Sequence, residues 1–216
     1  MITVLYIVGG MGSGKSSVLR CLQSFGVACF DLDELAAHVR ERPEVTRELE
    51  CALGISLAGV DSASQSAILA KSMFTSAENK RKAEKILHPK ILELLAKKKQ
   101  QLSQSDSDFK DAPSQIIDAS KYIAVEASAF KSRKQSPYIR ENDIVLAVIA
   151  SEDIRMSRIV AKGFSRQDAE MRIAMQPTNE EFAREANFAI LNDKTEFDLQ
   201  LKVESVFKEL SKNGSS

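Results

Sequence analysis

The sequence predicts an α/β protein whose parallel, five-stranded sheet is flanked by helices. Two observations support this fold class. Strand-like and helix-like segments alternate along the chain, and a glycine-rich loop follows the first strand directly. The runs with the length and apolar composition of strands are Thr3–Val8, Val27–Phe30, Tyr122–Glu126, Ile144–Ile149 and Phe188–Leu191. Because parallel sheets bind ligands at the carboxyl ends of their strands, polar residues after these runs are the first candidates for a site.

The glycine-rich loop is a phosphate-binding motif. Residues 9–16 read Gly-Gly-Met-Gly-Ser-Gly-Lys-Ser, which matches G-x-x-x-x-G-K-[ST] between a predicted strand and a predicted helix over Ser17–Phe25. Backbone N–H groups of such a loop surround phosphate oxygens, and the helix start adds its positive dipole end. We expect Lys15 to reach the β- and γ-phosphates and the Ser16 hydroxyl to ligate Mg²⁺. The predicted nucleotide contacts are Gly10, Met11, Gly12, Ser13, Gly14, Lys15, Ser16 and Ser17.

Carboxylates follow two of the predicted strands. Asp31 and Asp33 are two residues apart, so both would point to the same side of an extended segment. Asp33 is a candidate base for a hydroxyl that attacks the γ-phosphate, or else the cap of a helix that starts at Glu34. Glu126 ends the third strand, where it would help to hold Mg²⁺ or would be a solvated strand end. Asn192, after the fifth strand, is a candidate contact to the nucleotide.

A basic segment late in the chain is a candidate cover for the transferring phosphate. Arg155, Arg158 and Lys162 are three and four residues apart, so they share one face of a predicted helix. Together with Arg172 they could stabilise charge that spreads over the phosphoryl oxygens, and we take Arg158 and Arg172 as catalytic candidates. The alternative is an exposed basic helix face, which we prefer for Arg166.

Helices are predicted for most of the long interval between the second and third strands. One helix is predicted to begin at Thr75, with Glu78 completing a capping box. Because proline does not fit inside a helix, Pro89 is predicted to open a second helix with His88 as its cap. The polar segment Ser103–Gln115 is predicted to be a mobile connection. Two later capping boxes predict helix starts, at Ser165…Asp168 and Thr178…Glu181.

The composition excludes several classes of partner. The chain has 216 residues with 30 basic and 30 acidic side chains, which argues against a general nucleic-acid or membrane surface. Its three cysteines lack metal-ligand spacing, and its apolar runs are only strand-length, so we expect a cytoplasmic protein with reduced thiols. The absence of an Asn-Lys-x-Asp segment argues against a GTP switch. No oligomeric state is predicted.

Five segments in a fixed order carry a family resemblance. They are residues 9–17 (the phosphate loop), 31–37 (Asp-Leu-Asp-Glu-Leu-Ala-Ala), 83–91 (Ala-Glu-Lys-Ile-Leu-His-Pro-Lys-Ile), 158–176 (Arg…Ala-x-x-Arg-Ile-x-x-Gln) and 186–192 (Ala-Asn-Phe-Ala-Ile-Leu-Asn). This set resembles the dephospho-CoA kinase family. That family reads Gly-Gly-Ile-Gly-Ser-Gly-Lys-Ser-Thr, Asp-Ala-Asp-x-Ile-Ala-Arg, Leu-Glu-x-x-Leu-His-Pro-x-Ile, Arg…Ala-x-x-Arg-Ile-x-x-Gln and Ala-Asp-x-x-Ile-x-Asn.

The resemblance implies one P-loop kinase domain over residues 1–216. Its parts are a nucleotide core (about 1–34, 116–150 and 179–211), a helical substrate-binding region (about 35–115) and a lid (about 151–178). It implies ATP and Mg²⁺, with transfer of phosphate to the ribose 3′-hydroxyl of dephospho-CoA. It favours Asp33 as the catalytic base, and it makes His88, with Asp33, a candidate substrate contact.

The chain departs from the family pattern at several positions. Ala37 replaces an arginine, Asn187 replaces an aspartate, and Lys162 stands where the lid has an arginine. The family's Asp-x-Pro-Leu-Leu-Phe-Glu is replaced by Glu-Ala-Ser-Ala-Phe at residues 126–130. These changes leave two alternatives open: a P-loop kinase for another acceptor, such as a nucleoside monophosphate, and a nucleotide-binding protein without enzymatic activity.

Overall fold

The computed structural model describes residues 2–104 and 119–213. Most of the predicted connection Ser103–Gln115 therefore lies outside the described residues. The chain forms two compact units, one made of Met1–Asp31 with Gln101–Ser216 and the other of Leu32–Gln100. No helix in the described ranges is long and apolar enough to cross a membrane.

The first unit contains a parallel five-stranded sheet, as predicted. Its strands are β1 (Thr3–Val8), β2 (Ala28–Asp31), β3 (Tyr122–Glu126), β4 (Ile144–Ile149) and β5 (Phe188–Leu191), in the order β2-β3-β1-β4-β5. Four strands have their predicted bounds, and β2 is shifted by one residue. The central strand β1 is buried from Val4 to Val8, because helices cover both faces of a parallel sheet.

Register aligns the polar residues at one edge of the sheet. Ile7 pairs with Glu126, and Asp31 pairs with Glu126 from the other side. The phosphate loop follows β1, so the loop, Asp31 and Glu126 all lie at the carboxyl edge of the sheet. This is the edge at which such folds bind ligands.

The first unit also contains helices. They are α1 (Lys15–Ser24), α6 (Glu152–Ala161), α7 (Arg166–Ala174), α8 (Asn179–Glu185) and α9 (Glu196–Asn213). Leu22 of α1 and Phe207 of α9 are fully buried in one core cluster with the sheet. The ring of Phe207 also meets Tyr122 edge to face, with centroids 5.2 Å apart. The sequence-predicted cap at Thr178 is a complete capping box with Glu181.

The second unit is helical, with α2 (Leu32–Arg40), α3 (Pro43–Leu53), α4 (Ser62–Met73) and all but the last turn of α5 (Ala77–Gln104). Local signals explain several of its ends. Pro43 occupies the first turn of α3, and Gly54 ends that helix with a left-handed φ of 66°. The Asp61 carboxylate accepts a hydrogen bond from Ser64 N–H at the start of α4.

The prediction of two helices around Pro89 is wrong, because α5 runs through this residue without a break. Its buried residues recur every fourth position, at Ala83, Leu87, Ile91 and Leu95. This apolar face continues on both sides of Pro89, so packing outweighs the lost backbone hydrogen bond. His88 is consequently a residue within the helix and not a cap.

The predicted start at Thr75 is also wrong, by two residues. The Thr75 hydroxyl donates to Lys71 O at the end of α4, and Ser76 Oγ accepts the Asn79 N–H instead. The hydroxyl of Thr75 is therefore already used by the preceding helix.

Replacing Pro89 by alanine should stabilise the protein. Pro89 is exposed, and its ring crowds the carbonyl one turn earlier while giving no N–H to the helix. We expect Pro89→Ala to raise the free energy of unfolding by about 1–2 kcal/mol, after allowance for the stiffer unfolded chain that proline provides. Urea denaturation measures this, with the exposed neighbour variant Lys85→Ala as control. A Pro89→Ala protein no more stable than wild type would contradict this account of α5.

Candidate active site

The phosphate loop lies between β1 and α1, at the carboxyl edge of the sheet. The helix α1 begins at Lys15, and its cap residue Gly14 has a left-handed φ of 96° that favours glycine. No side chain caps this helix, and its first turn contains no acidic residue. The positive end of the helix is thus available to an anion.

A cavity of about 710 Å³ opens beside this loop. Its volume falls within the usual range for small-molecule sites. Residues of the loop that line it are Met11, Gly12, Gly14, Lys15, Ser16 and Ser17. Other cationic residues that line it are Arg20, Arg158, Lys162 and Lys194, and the acidic ones are Glu126 and Glu196. This excess of positive charge suits a polyphosphate ligand.

Lys15, Ser16 and Glu126 form a polar cluster that lines the cavity. Lys15 Nζ donates to Gly9 O at 3.1 Å and lies 3.7 Å from Glu126 Oε1. The Ser16 hydroxyl donates to Glu126 Oε2 at 3.4 Å, and Ser128 donates to the other carboxylate oxygen at 3.4 Å. The side chains of Lys15 and Glu126 are each only 9% exposed. Lys15, Ser16 and Glu126 are therefore in contact with one another, as their predicted places at the same edge of the sheet require.

Burial shifts the pKa of both charged residues in this cluster. Desolvation lowers the pKa of Lys15, while the attraction of Glu126 opposes the shift. Desolvation likewise raises the pKa of Glu126, against the attraction of Lys15. Asp31 on the neighbouring strand adds to the rise at Glu126 by charge repulsion. Each charge is costly here on its own, so the pair is suited to a ligand that brings further charge.

Arg158 and Asn192 hold the backbone of the loop. Arg158 Nη1 donates to Gly12 O and to Ser13 O, each at 3.2 Å, and Nη2 donates to Asn192 O at 2.9 Å. The Asn192 amide donates to Ser13 O at 2.8 Å. A Cβ on Gly14 would lie only 2.1 Å from Asn192 Nδ2. Position 14 therefore requires glycine for two reasons: its φ is left-handed, and the Asn192 amide leaves no room for a Cβ.

Three other predicted site residues are Gly10, Ser13 and Arg172, of which two are packed inside the protein and one is exposed. Gly10 is packed beneath the Arg155 guanidinium, and Ser13 is fully buried with its hydroxyl unbonded. Neither is among the described residues that line the cavity. Arg172 is exposed on α7, where its guanidinium lies over the Phe164 ring at 4.9 Å from the centroid.

Asp33 and His88 belong to the helical unit, and their roles remain predictions. The expectation that Asp31 and Asp33 share an extended segment is wrong, because α2 begins at Leu32. Asp33 is exposed within the first turn of that helix, so it does not precede a helix at Glu34 either. The negative charge of Asp33 suits this position by the helix dipole. His88 is half-buried in α5, and burial lowers its pKa.

Several residues of the cavity escaped the sequence analysis. They are Arg20, Ser128, Ala161, Gln176 (quoted only within the family motif), Lys194, Glu196 and Leu199. Lys194 and Glu196 follow β5, so the strand-end rule could have found them. Arg20 is one helical turn from Ser16, which is a weaker signal.

Comparison with known proteins shows to which family the chain belongs. The family model described as CoaE, dephospho-CoA kinase, matches residues 3–125. The chain belongs to the dephospho-CoA kinase family. A dephospho-CoA kinase of Chlorobaculum tepidum is 27% identical over 209 residues, which cover 94% of this chain and 93% of that protein. The family resemblance of the sequence motifs is thereby confirmed.

Solved structures confirm the P-loop kinase fold. TT1252 from Thermus thermophilus is 26% identical with a TM-score of 0.74, covering 97% of this chain and 98% of that one. Dephospho-CoA kinase from Campylobacter jejuni has a TM-score of 0.66 at 21% identity, covering 99% and 100%. The second likeness supports the fold alone.

One departure from the dephospho-CoA kinase pattern has a structural explanation. Asn187 Oδ1 accepts the Val145 N–H at 2.9 Å and a hydrogen bond from Arg133 Nη2. An amide oxygen can take the place of a carboxylate oxygen as acceptor in both bonds. Asn187 therefore keeps the junction before β5 tied to β4.

Replacing Gly14 by alanine should impair nucleotide binding. The added Cβ clashes with Asn192, so either the loop or Asn192 must move. Gly163 provides a matched control, because its φ is 94° and a Cβ there meets nothing within 4 Å. Both variants should lose about 1–2 kcal/mol of stability from backbone strain. Only Gly14→Ala should also weaken ADP binding, by about tenfold or more, in isothermal titration. Equal ADP affinities for the two variants would contradict this role for Gly14.

Proposed function

We propose that this chain transfers the γ-phosphate of ATP to the ribose 3′-hydroxyl of dephospho-CoA, giving coenzyme A and ADP. The match to the dephospho-CoA kinase family model carries the proposal. The cationic cavity beside an intact phosphate loop supports it, because a kinase of this class needs such a site for a nucleoside triphosphate.

The phosphate end of ATP would bind against the loop. Its β- and γ-phosphates would meet Lys15, the start of α1 and the backbone N–H groups of the loop. On binding, Lys15 would exchange its contact with Gly9 O for phosphate oxygens. Lys162 and Lys194 line the same cavity and would add positive charge near the transferring group. Arg158 and Asn192, through their bonds to Ser13 O, would keep the loop in place.

The residues present fit a magnesium ion. Ser16 and Glu126 offer a hydroxyl and a carboxylate 3.4 Å apart, and hard oxygen ligands are the ones that Mg²⁺ prefers. No set of three or more His, Cys, Asp or Glu side chains in the described residues could hold a metal. The remaining ligands would then be phosphate oxygens and water, as is usual for Mg²⁺ in kinases. When bound, the ion supplies charge neutralisation at the phosphates.

The acceptor end of the reaction is assigned to the helical unit. Asp33 would accept the proton of the 3′-hydroxyl. The oxygen of that hydroxyl would form a bond to the γ-phosphorus, and the bond between the γ-phosphorus and the bridging oxygen would break, so that ADP leaves. His88 would contact the acceptor, and Arg172 would approach the transferring phosphate from the lid. The protein would act in the cytoplasm, without nucleic-acid or membrane partners.

The first test is an acceptor assay. Purified protein is mixed with ATP, Mg²⁺ and dephospho-CoA, and coenzyme A is followed by mass spectrometry. We expect product that requires both Mg²⁺ and dephospho-CoA, and its loss when EDTA removes the metal. A panel of nucleoside monophosphates and sugars serves as control. Absence of coenzyme A at high enzyme concentration would overturn the proposal, and preference for a panel acceptor would favour a different P-loop kinase.

Asp33→Asn tests the assignment of the base. The change removes a proton acceptor and keeps the size of the side chain, so turnover should fall by roughly a hundredfold or more. ADP binding should stay within about twofold, because the change leaves the phosphate loop intact. The adjacent exposed Glu34 gives a matched control, and Glu34→Gln should retain turnover. Full turnover in Asp33→Asn would reject Asp33 as the base.

A further inference from the structure

Arg155 is a buried cation behind the phosphate loop. It lies in the first half of α6 and is only 4% exposed. Its Nε donates to Met11 O at 3.0 Å, and its Nη2 donates to Gln176 Oε1 at 2.9 Å. The Met11 N–H donates to the same Gln176 oxygen at 2.8 Å. Three hydrogen bonds thus join Arg155, Met11 and Gln176 in a closed ring.

The glycines of the loop allow this close approach. A Cβ on Gly10 would lie 2.3 Å from Arg155 Nη2, and a Cβ on Gly12 would lie 2.6 Å from the Arg155 carbonyl oxygen. The backbone of the loop therefore rests directly on Arg155. A side chain at either glycine would have to displace the arginine or the helix that carries it.

The ring fixes Met11 through both of its backbone polar groups. Arg155 binds the carbonyl, and Gln176 binds the N–H. Arg158, one turn further along α6, binds the next two carbonyls, at Gly12 and Ser13. Two arginines of one helix thereby hold three successive peptide groups of the loop.

Arg155 lies outside the nucleotide cavity. It is absent from the described residues that line that cavity, whereas Met11 and Gln176 are among them. Arg155 lines a different cavity, of about 600 Å³, and Gln176 lines both cavities. Arg155 therefore reaches the nucleotide site through the loop backbone, which it contacts at Gly10, Met11 and Gly12, and through Gln176.

We propose that Arg155 is a positioning residue for phosphoryl transfer, which holds the phosphate loop in its binding conformation through Met11 and Gln176. It acts before ATP arrives, because a loop that is already ordered spends no binding energy on ordering. Because Gln176 bonds both Met11 and Arg155, a movement of the loop would also move the segment after α7 that contains Gln176. The proposal rests on the proposed function only for its effect on turnover.

The test uses nucleotide affinity, which needs no acceptor. Arg155→Met removes both donors and keeps an unbranched apolar stem. We expect it to raise the Kd for ADP in isothermal titration about tenfold, as the loss of charged hydrogen bonds predicts. Arg155→Lys can replace only one bond, so its Kd should be intermediate. The control is Arg166→Met on α7, whose side chain is 80% exposed, and its Kd should be unchanged.

A double-mutant cycle with Gln176→Ala separates positioning from general destabilisation. Because both residues act through Met11, the double variant should bind ADP no more weakly than the weaker single variant. In turnover assays the KM for ATP should rise while the KM for the acceptor stays within about twofold. ADP affinity of Arg155→Met equal to that of Arg166→Met, or independent effects in the cycle, would overturn the proposal. If Arg155→Met does not fold, the ADP affinities of Arg155→Lys and Gln176→Ala are compared with that of Arg166→Met in the same way. Affinities equal to that of Arg166→Met would then overturn the proposal.

Should dephospho-CoA prove not to be the acceptor, the ADP titrations still decide the role of Arg155. Conversely, coenzyme A formation by wild type with unchanged ADP binding in Arg155→Met would reject the positioning role and leave the proposed function standing.

Discussion

The orientation of the phosphate-loop carbonyls is the constraint on which the rest of the site depends. Three carbonyls, at Met11, Gly12 and Ser13, accept hydrogen bonds from Arg155, Arg158 and Asn192. Because a trans peptide group is planar, each such carbonyl turns the following N–H to the opposite side. The loop is thus oriented by side chains that contact its backbone from outside the motif. Glycine at positions 10 and 14 lets the Arg155 and Asn192 side chains approach, and glycine at position 12 makes room for the backbone of Arg155.

The same arrangement explains how a chain of zero net charge can bind a polyphosphate. Five basic side chains line the cavity against two acidic ones, so the cavity is locally cationic although the chain as a whole is neutral. Within the cavity Lys15 and Glu126 are both largely desolvated, so each has a pKa shifted towards its neutral form. A ligand that brings phosphate oxygens together with a divalent cation gives each residue a partner of opposite charge.

Local sequence signals predicted the sheet and the loop well. The inner strands are continuous apolar runs because both of their faces are covered, and the phosphate motif needs only eight consecutive residues. The same local rules failed at Pro89, where an apolar face that repeats every four residues keeps α5 intact. They failed again at Asp33, where the helix starts immediately after β2.

Contacts between distant parts of the chain were beyond sequence reasoning. Asn192, a predicted nucleotide contact, lines the cavity, and its amide also donates to Ser13 O, 179 residues away, which the sequence did not indicate. Arg155 was grouped with a cationic lid, whereas it is buried against Met11, 144 residues away. No periodicity or spacing in the sequence encodes which carbonyl a given arginine meets. Such pairings follow only from the packing of α6 and β5 beside the loop.

The most direct measurement of this account is a crystal structure of the protein with ADP and Mg²⁺. If the loop is held in its binding conformation beforehand, its backbone from Met11 to Lys15 should move by less than about 1 Å. Arg155 and Arg158 should keep their bonds to the loop carbonyls, and Lys15 should leave Gly9 O for a phosphate oxygen. A loop that refolds around the nucleotide, with these carbonyls released from both arginines, would contradict the account.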